Sequence, residues 1–183
     1  MDSEKQTVLK DGTVLSIRRV REDDAEKMID YMNRVGGESD FLTFGKDECR
    51  FTVEQEKQFL RNLDGNSSSF FLAGFIGNEL ACSANIAASG KARLAHNGEL
   101  GITVLKKYWH LGAASALLTE LIRIAKSETE LAAVHLGVYE NNERAIRLYE
   151  KFGFKRVGRH NKYFHVGDRY YSEILMDLEL DRR

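Results

Sequence analysis

The stretch Gly101-Ile-Thr-Val-Leu-Lys-Lys-Tyr-Trp-His-Leu-Gly-Ala-Ala-Ser-Ala-Leu-Leu118 changes its hydrophobic period halfway along. Its first part, with Glu99 and Leu100 before it, reads as a strand running to about Leu105. From Ala114 onward, Leu117, Leu118, Leu121, Ile122 and Ala125 share one face of a helix over about 112–127. Between the two lies a short loop that ends in small residues. A strand, loop and helix in this order leave unpaired N–H groups at a helix N-terminus, where the dipole favours negative charge. A phosphate group fits such a place. Gly112 allows close backbone approach, Ala113 and Ala114 keep the entrance clear, and Lys106 and Lys107 add positive charge upstream. A plain strand-to-helix turn is the other reading. The loop is not a GxGxxG fingerprint and lacks the Lys-Ser/Thr of a P-loop.

Working outward, the period of the flanking segments builds a sheet. Downstream, Leu131–Val138 reads as a buried strand. Residues 143–152 read as a short helix capped by Asn142 and ended by Gly153. A hairpin about Val166-Gly167-Asp168 closes the chain, with Ile174, Met176, Leu178 and Leu180 on one face and Glu173, Asp177 and Glu179 on the other. Upstream, Ser69–Ile76 and Leu80–Ala88 form a hairpin across Gly77-Asn78-Glu79, after a break at 64–67. Thr52 and Gln55 form a capping box that opens a helix to about Asn62. Asp23 or Asp24 caps another, which Gly36-Gly37 closes, and residues 38–50 read as loop. A first hairpin turns at Asp11-Gly12. The sum is a mixed α/β sheet with helices packed on it, a single domain over residues 1–183.

Composition narrows the function classes. The 183 residues are 43% hydrophobic and 30% charged, with a net charge of −1. No global positive field recruits nucleic acid or an anionic membrane. No apolar run approaches a membrane span, and MDSEKQTVLK is too polar for a secretion leader. Cys49 and Cys82 have no zinc-type spacing and read as buried free thiols of a cytoplasmic protein. Without a leader, the sequon Asn66-Ser67-Ser68 carries no meaning. Proline is absent where roughly nine would be average.

Two segments together carry a resemblance. Asn142-Glu-Arg-Ala145-Ile-Arg-Leu148-Tyr149-Glu-Lys-Phe-Gly153-Phe154 fits the pattern N-x-x-A-x-x-L-Y-x-x-x-G-F in full, and Trp109-His-Leu-Gly112-Ala-Ala114 fits [Q/R]-x-x-G-x-[G/A] except at Trp109. The chain resembles the GCN5-related N-acetyltransferases (GNAT family), and its Tyr-Trp pair is similar to the branch of ribosomal-protein and polyamine acetyltransferases. The resemblance implies a mostly antiparallel sheet splayed in the middle and acetyl-CoA as co-substrate, with no metal. It implies that amides of Val104, Leu105 and Lys106 pair with the pantetheine arm, and that Trp109, His110, Leu111, Gly112, Ala113, Ala114 and Ser115 hold the pyrophosphate. These contacts are mostly main-chain, so losing Gln or Arg at position 109 matters little. Asn142 would contact the pantetheine, and Tyr149 would protonate the departing thiolate. Taken alone, Tyr149 reads as a core aromatic.

The attacking amine needs a base. Glu99, 13 residues before Gly112, is the first candidate by the spacing of the polyamine branch, and an exposed strand Glu paired with a cation is the bland alternative. His96 is the second candidate. A Cys82 acyl-enzyme is disfavoured, because the family transfers directly within a ternary complex. The acceptor site is expected from residues 21–62 and the 159–171 hairpin. The acceptor is a primary amine: a small molecule, a polyamine or a peptide N-terminus. The aromatics Tyr163, Phe164, Tyr170 and Tyr171 pack internally or form a homodimer face. A catalytically silent CoA-binding sensor or scaffold, or a phosphate-binding interaction protein, is the alternative function.

Overall fold

The computed structural model of the chain describes residues 4–64 and 68–180. Gly65, Asn66 and Ser67 lie outside the described residues, and with them most of the expected break and the sequon. Among the described residues, eight strands form one sheet: β1 (Lys5–Val8), β2 (Val14–Arg19), β3 (Phe70–Ile76), β4 (Glu79–Ala88), β5 (Asn97–Val104), β6 (Ala133–Tyr139), β7 (Lys155–Val166) and β8 (Arg169–Glu179). Their spatial order is β1-β2-β3-β4-β5-β6-β8-β7. Among the described residues, only β5 and β6 run parallel, and every other pairing is antiparallel.

Among the described residues, four α-helices cover the two faces: α1 (Ala25–Gly36), α2 (Val53–Asp64), α3 (Ala113–Glu128) and α4 (Glu143–Lys151). Side-chain alternation sorts them. Leu15, Ile17, Phe70, Leu72, Ala84, Ile86, Leu100, Val134, Leu136, Val138 and Met176 bury one face against Leu117, Leu118 and Leu121 of α3 and Ile146 and Tyr149 of α4. Ala73 and Phe75 bury the other face against Met28, Tyr31 and Val35 of α1 and Leu60 of α2. No helix among the described residues is long and apolar enough to cross a membrane.

The local signals place most element ends. Thr52 and Gln55 exchange the two bonds of their capping box (2.9 and 3.2 Å), and the Asn142 side chain accepts the Ala145 N–H at 3.2 Å. Two expectations change. Asp24 does not cap α1: its carboxylate takes the Arg18 guanidinium (2.6 and 2.8 Å) and the Arg21 N–H (2.8 Å) in a single 3₁₀ turn before the helix. Burial would push this carboxyl up, but those hydrogen bonds outweigh it and hold it below its usual range. Cys82 is buried as expected, whereas Cys49 is only half-buried.

Without proline, Lys106–Tyr108 form a 3₁₀ turn that side chains fix in place. Glu79 accepts hydrogen bonds from Lys107 Nζ (2.6 Å), the Tyr108 hydroxyl (2.6 Å) and Arg34 (2.9 Å), which ties the turn to α1. The first two of these donors, with Arg34, lower the Glu79 carboxyl to about 2. A depressed carboxyl contributes stability above its unfolded value, and that contribution is lost as pH falls through the folded one. The melting-temperature gap between wild type and Glu79→Gln should therefore narrow between about pH 5 and about pH 2. A gap that stays constant over that range would show that this hub does not stabilise the fold.

Candidate active site

The parallel ladder between β5 and β6 stops early. It joins Asn97 to Ala133, Gly98 to Val134 and Glu99 to His135, and then ends. Each strand instead keeps its antiparallel partner, β4 through the Cys82–Val104 pair and β8 through the Tyr139–Glu173 pair. Antiparallel ladders alternate hydrogen-bonded and non-bonded pairs. Leu105 N–H donates to Ala81 at 3.0 Å, so Val104 and Ile102 turn their backbone groups away from β4. Glu140 N–H donates to Ser172 at 3.0 Å, so Gly137 and Tyr139 turn theirs away from β8. All four face the gap, whose cleft has a volume of about 620 Å³.

One side of the cleft suits an anion. The backbone turns left-handed at His110 (φ 66°) and at Gly112 (φ 102°) before α3 starts. Only Gly adopts such a φ without cost, and His110 holds it at a sharp corner. Ala116 N–H makes the first bond back to Gly112 (3.0 Å), so the amides of Ala113, Ala114 and Ser115 have no intrahelical acceptor. Trp109 spans the mouth: its Nε1–H donates to the Val104 carbonyl at 2.7 Å, and Arg144 lies 4.2 Å over its ring. Lys10, Arg147 and Lys151 also line this side.

The opposite face differs in chemistry. Glu99, Gly101 and Thr103 of β5 and Gly137 and Tyr139 of β6 line it, together with Glu173 of β8 and the loop around Phe41–Phe44. Glu173 is only 8% exposed. Its Oε2 pairs with His160 Nδ1 at 2.8 Å, and its Oε1 lies over Gly137, where any Cβ would collide with it. The Tyr139 ring stacks on Phe164 (centroids 3.6 Å, 7° between planes) and meets the Phe41 edge at 5.7 Å. A line of hydroxyls runs inward from Thr103, bonded to Tyr31 (2.8 Å) and Ser83 (2.9 Å). Among the described residues no group of three or more His, Cys, Asp or Glu side chains could hold a metal ion.

Of the residues singled out in the sequence, the structure brings Glu99, Val104, Trp109, His110, Gly112, Ala113, Ala114, Ser115, Asn142 and Tyr149 to one cleft. Tyr149 is 8% exposed, and its hydroxyl has no hydrogen-bond partner among the described residues. Burial pushes that phenol above its ordinary range. Leu105, Lys106, Leu111 and His96 are not brought there. The Leu105 amide is spent on Ala81, the Lys106 amide donates to Glu38 at 2.6 Å, and the Leu111 carbonyl takes Lys10 N–H at 3.0 Å. His96 is exposed on the loop before β5. Lys107 is bound to Glu79 and is not among the lining residues. The Cys82 thiol, pushed up to about 12 by burial, is no nucleophile. Glu173, Tyr139 and Thr103 are not singled out in the sequence, whereas Phe41 and Phe164 fall within the regions 21–62 and 159–171 expected to build the acceptor site.

Residues 38–154 match the acetyltransferase (GNAT) family, and the chain belongs to it. An acetyltransferase of the GNAT family from Streptococcus pneumoniae superposes with a TM-score of 0.88 at 30% identity, over 90% of this chain and 99% of that one. The yncA protein of Salmonella typhimurium, solved with its cofactor acetyl-CoA, shares the fold at a TM-score of 0.80 and 15% identity, over 92% of this chain and 95% of that one. The chain is also 30% identical over 86 residues to the L-amino acid N-acetyltransferase AaaT of Escherichia coli (strain K12), which is 47% of this chain and 53% of that protein. The chain thus spans about half the length of the curated relatives it matches.

Trp109 takes the place of the family's Gln or Arg and supplies the bond to Val104 from its own ring. Trp109→Phe keeps the face for Arg144 and removes that bond, so urea unfolding should show a loss of about 1 kcal/mol. An unchanged midpoint would mean that the indole N–H does not hold the strand end.

Proposed function

We propose that the chain is an acetyl-CoA-dependent N-acetyltransferase, a single domain over residues 1–183, that acetylates a primary amine by direct attack in a ternary complex. The observation that carries this reading is the gap between β5 and β6, where Ile102, Val104, Gly137 and Tyr139 turn backbone groups inward. An extended arm that carries amides can pair there as a strand would. The pyrophosphate belongs at the amides of Ala113, Ala114 and Ser115, beside Arg144 and Lys10. Free Cys49 and Cys82 suit a reducing, cytoplasmic compartment.

Glu99 takes the role of base. It stands at the last paired position of β5 and opens onto the cleft from the face opposite α4. The amine nitrogen bonds to the thioester carbonyl carbon, and its proton passes to Glu99 directly or through one water. Inward-facing amides of the two strands receive the charge that builds on the carbonyl oxygen. As the carbon–sulfur bond breaks, the sulfur takes the electron pair. Tyr149 remains protonated at working pH because burial raises it. Full transfer from such a phenol to a thiolate with an ordinary pKa of about 8.5 is uphill. Tyr149 therefore donates a hydrogen bond to the developing thiolate, and solvent completes its protonation.

Acetyl-CoA and CoA, but not ATP, should raise the melting temperature, and acetyl-CoA should change the emission of the chain's one tryptophan, Trp109. Stabilisation by ATP alone would sink the reading. Release of free thiol from acetyl-CoA across an amine panel then separates an enzyme from a silent CoA-binding module. Tyr149→Phe should lower kcat more than it weakens acetyl-CoA binding, and equal losses would make Tyr149 structural. If Glu99→Gln leaves the rate and its pH profile unchanged, Glu99 is not the base.

A further inference from the structure

The cleft separates its charges by side. Every cation that lines it comes from Lys10, from the loop before α3 or from α4. Among the described residues, the acceptor face carries two carboxylates, Glu99 and Glu173, and no cation. Arg159 of the neighbouring hairpin is engaged with Glu140 (2.7 Å) and Ser172 (2.7 Å), away from the cleft. Glu173 has one oxygen committed to His160, while the other stands over the bare backbone of Gly137. Beside it lies an aromatic wall of Phe41, Tyr139 and Phe164.

Resting on the acetyl-transfer reading, we infer that the acceptor is a diamine or polyamine. Glu173 and the aromatic wall hold its second cationic nitrogen, while the first is delivered at Glu99. A buried carboxylate and aromatic faces both favour an ammonium group that has left water. An α-amino acid fits poorly, because its carboxylate would enter a face with two like charges and no cation to pair with. The register sets the length of the acceptor. Glu99 sits opposite His135 and Glu173 opposite Tyr139, four residues further along β6. The Glu173 carboxylate, however, stands over Gly137, two residues beyond His135, so the two acidic positions lie ~7 Å apart along the strand direction. That spacing asks for several methylenes between the two nitrogens.

The test compares spermidine, n-butylamine and L-methionine as acceptors by thiol release from acetyl-CoA. In wild type, kcat/KM for spermidine should exceed that of either other amine by about tenfold or more, the value of one charge-assisted contact. In Glu173→Gln the ratio of spermidine to butylamine should fall toward one. A ratio near one in wild type, a preference for L-methionine, or a ratio that Glu173→Gln leaves unchanged overturns the inference. Calorimetric titration of spermidine into the CoA-bound protein gives a readout independent of turnover: one site is expected, weakened about tenfold in Glu173→Gln. Absence of binding overturns the inference as well. Stabilisation by acetyl-CoA is measured alongside. Its failure removes the acetyl-transfer reading itself, whereas its success without a spermidine preference removes the diamine alone.

Discussion

Two strands that begin as neighbours part after Glu99 and His135, and the rest of the site follows from that parting. A parallel ladder is slightly weaker per residue than an antiparallel one. Here β5 remains with β4 from Gly98 to Val104, and β6 remains with β8 from Ala133 to Tyr139. The backbone groups that would have joined β5 to β6 are left facing a cleft. Any unpaired amide in a sheet interior would be costly. The cleft gives them access to water or to a ligand, and so turns an interrupted sheet into a place for an extended chain.

The two faces of the sheet then give the cleft two chemistries. The α3–α4 side brings helix amides and guanidinium and ammonium groups to the mouth. The other face brings Glu99, Glu173 and aromatic rings. Links between distant segments hold the walls in place. Glu38 takes the Lys106 amide, and Glu79 gathers Arg34, Lys107 and Tyr108, so the loop after α1 and the turn after β5 are fixed together. The Tyr31–Thr103–Ser83 hydroxyls pin β5 to α1 and β4 beneath the face that carries Glu99.

Local signals in the chain were a good guide to elements and a poorer one to partners. The Thr52–Gln55 box and the Asn142 cap use atoms three residues apart, so spacing alone reveals them. Asp24 has the same appearance as a cap, but Arg18, on β2, claims its carboxylate. The Lys106 amide is likewise taken by Glu38, 68 residues away. Glu173 belongs to the polar half of a clean alternation, yet it is buried. The Phe41 loop, Tyr139 and Phe164 cover that end of β8, and the alternation contains no trace of them. Of the last hairpin's aromatics, Phe164 turns inward while Tyr163 and Tyr170 stay exposed. The motif at 142–154 pointed to Tyr149 and its family. The divergence of β5 from β6 depends on register between remote strands, which no local pattern encodes.

Residue-resolved hydrogen exchange tests the central claim most directly, because that claim concerns specific backbone amides. In the free protein, Ile102, Val104, Gly137 and Tyr139 should exchange much faster than Thr103 and Val138, their neighbours bonded to β4 and β8. Saturating acetyl-CoA should slow the exchange of the fast set and leave their already protected neighbours unchanged. Amides of Ile102 and Val104 that are protected without ligand, or that acetyl-CoA leaves untouched, would contradict the account.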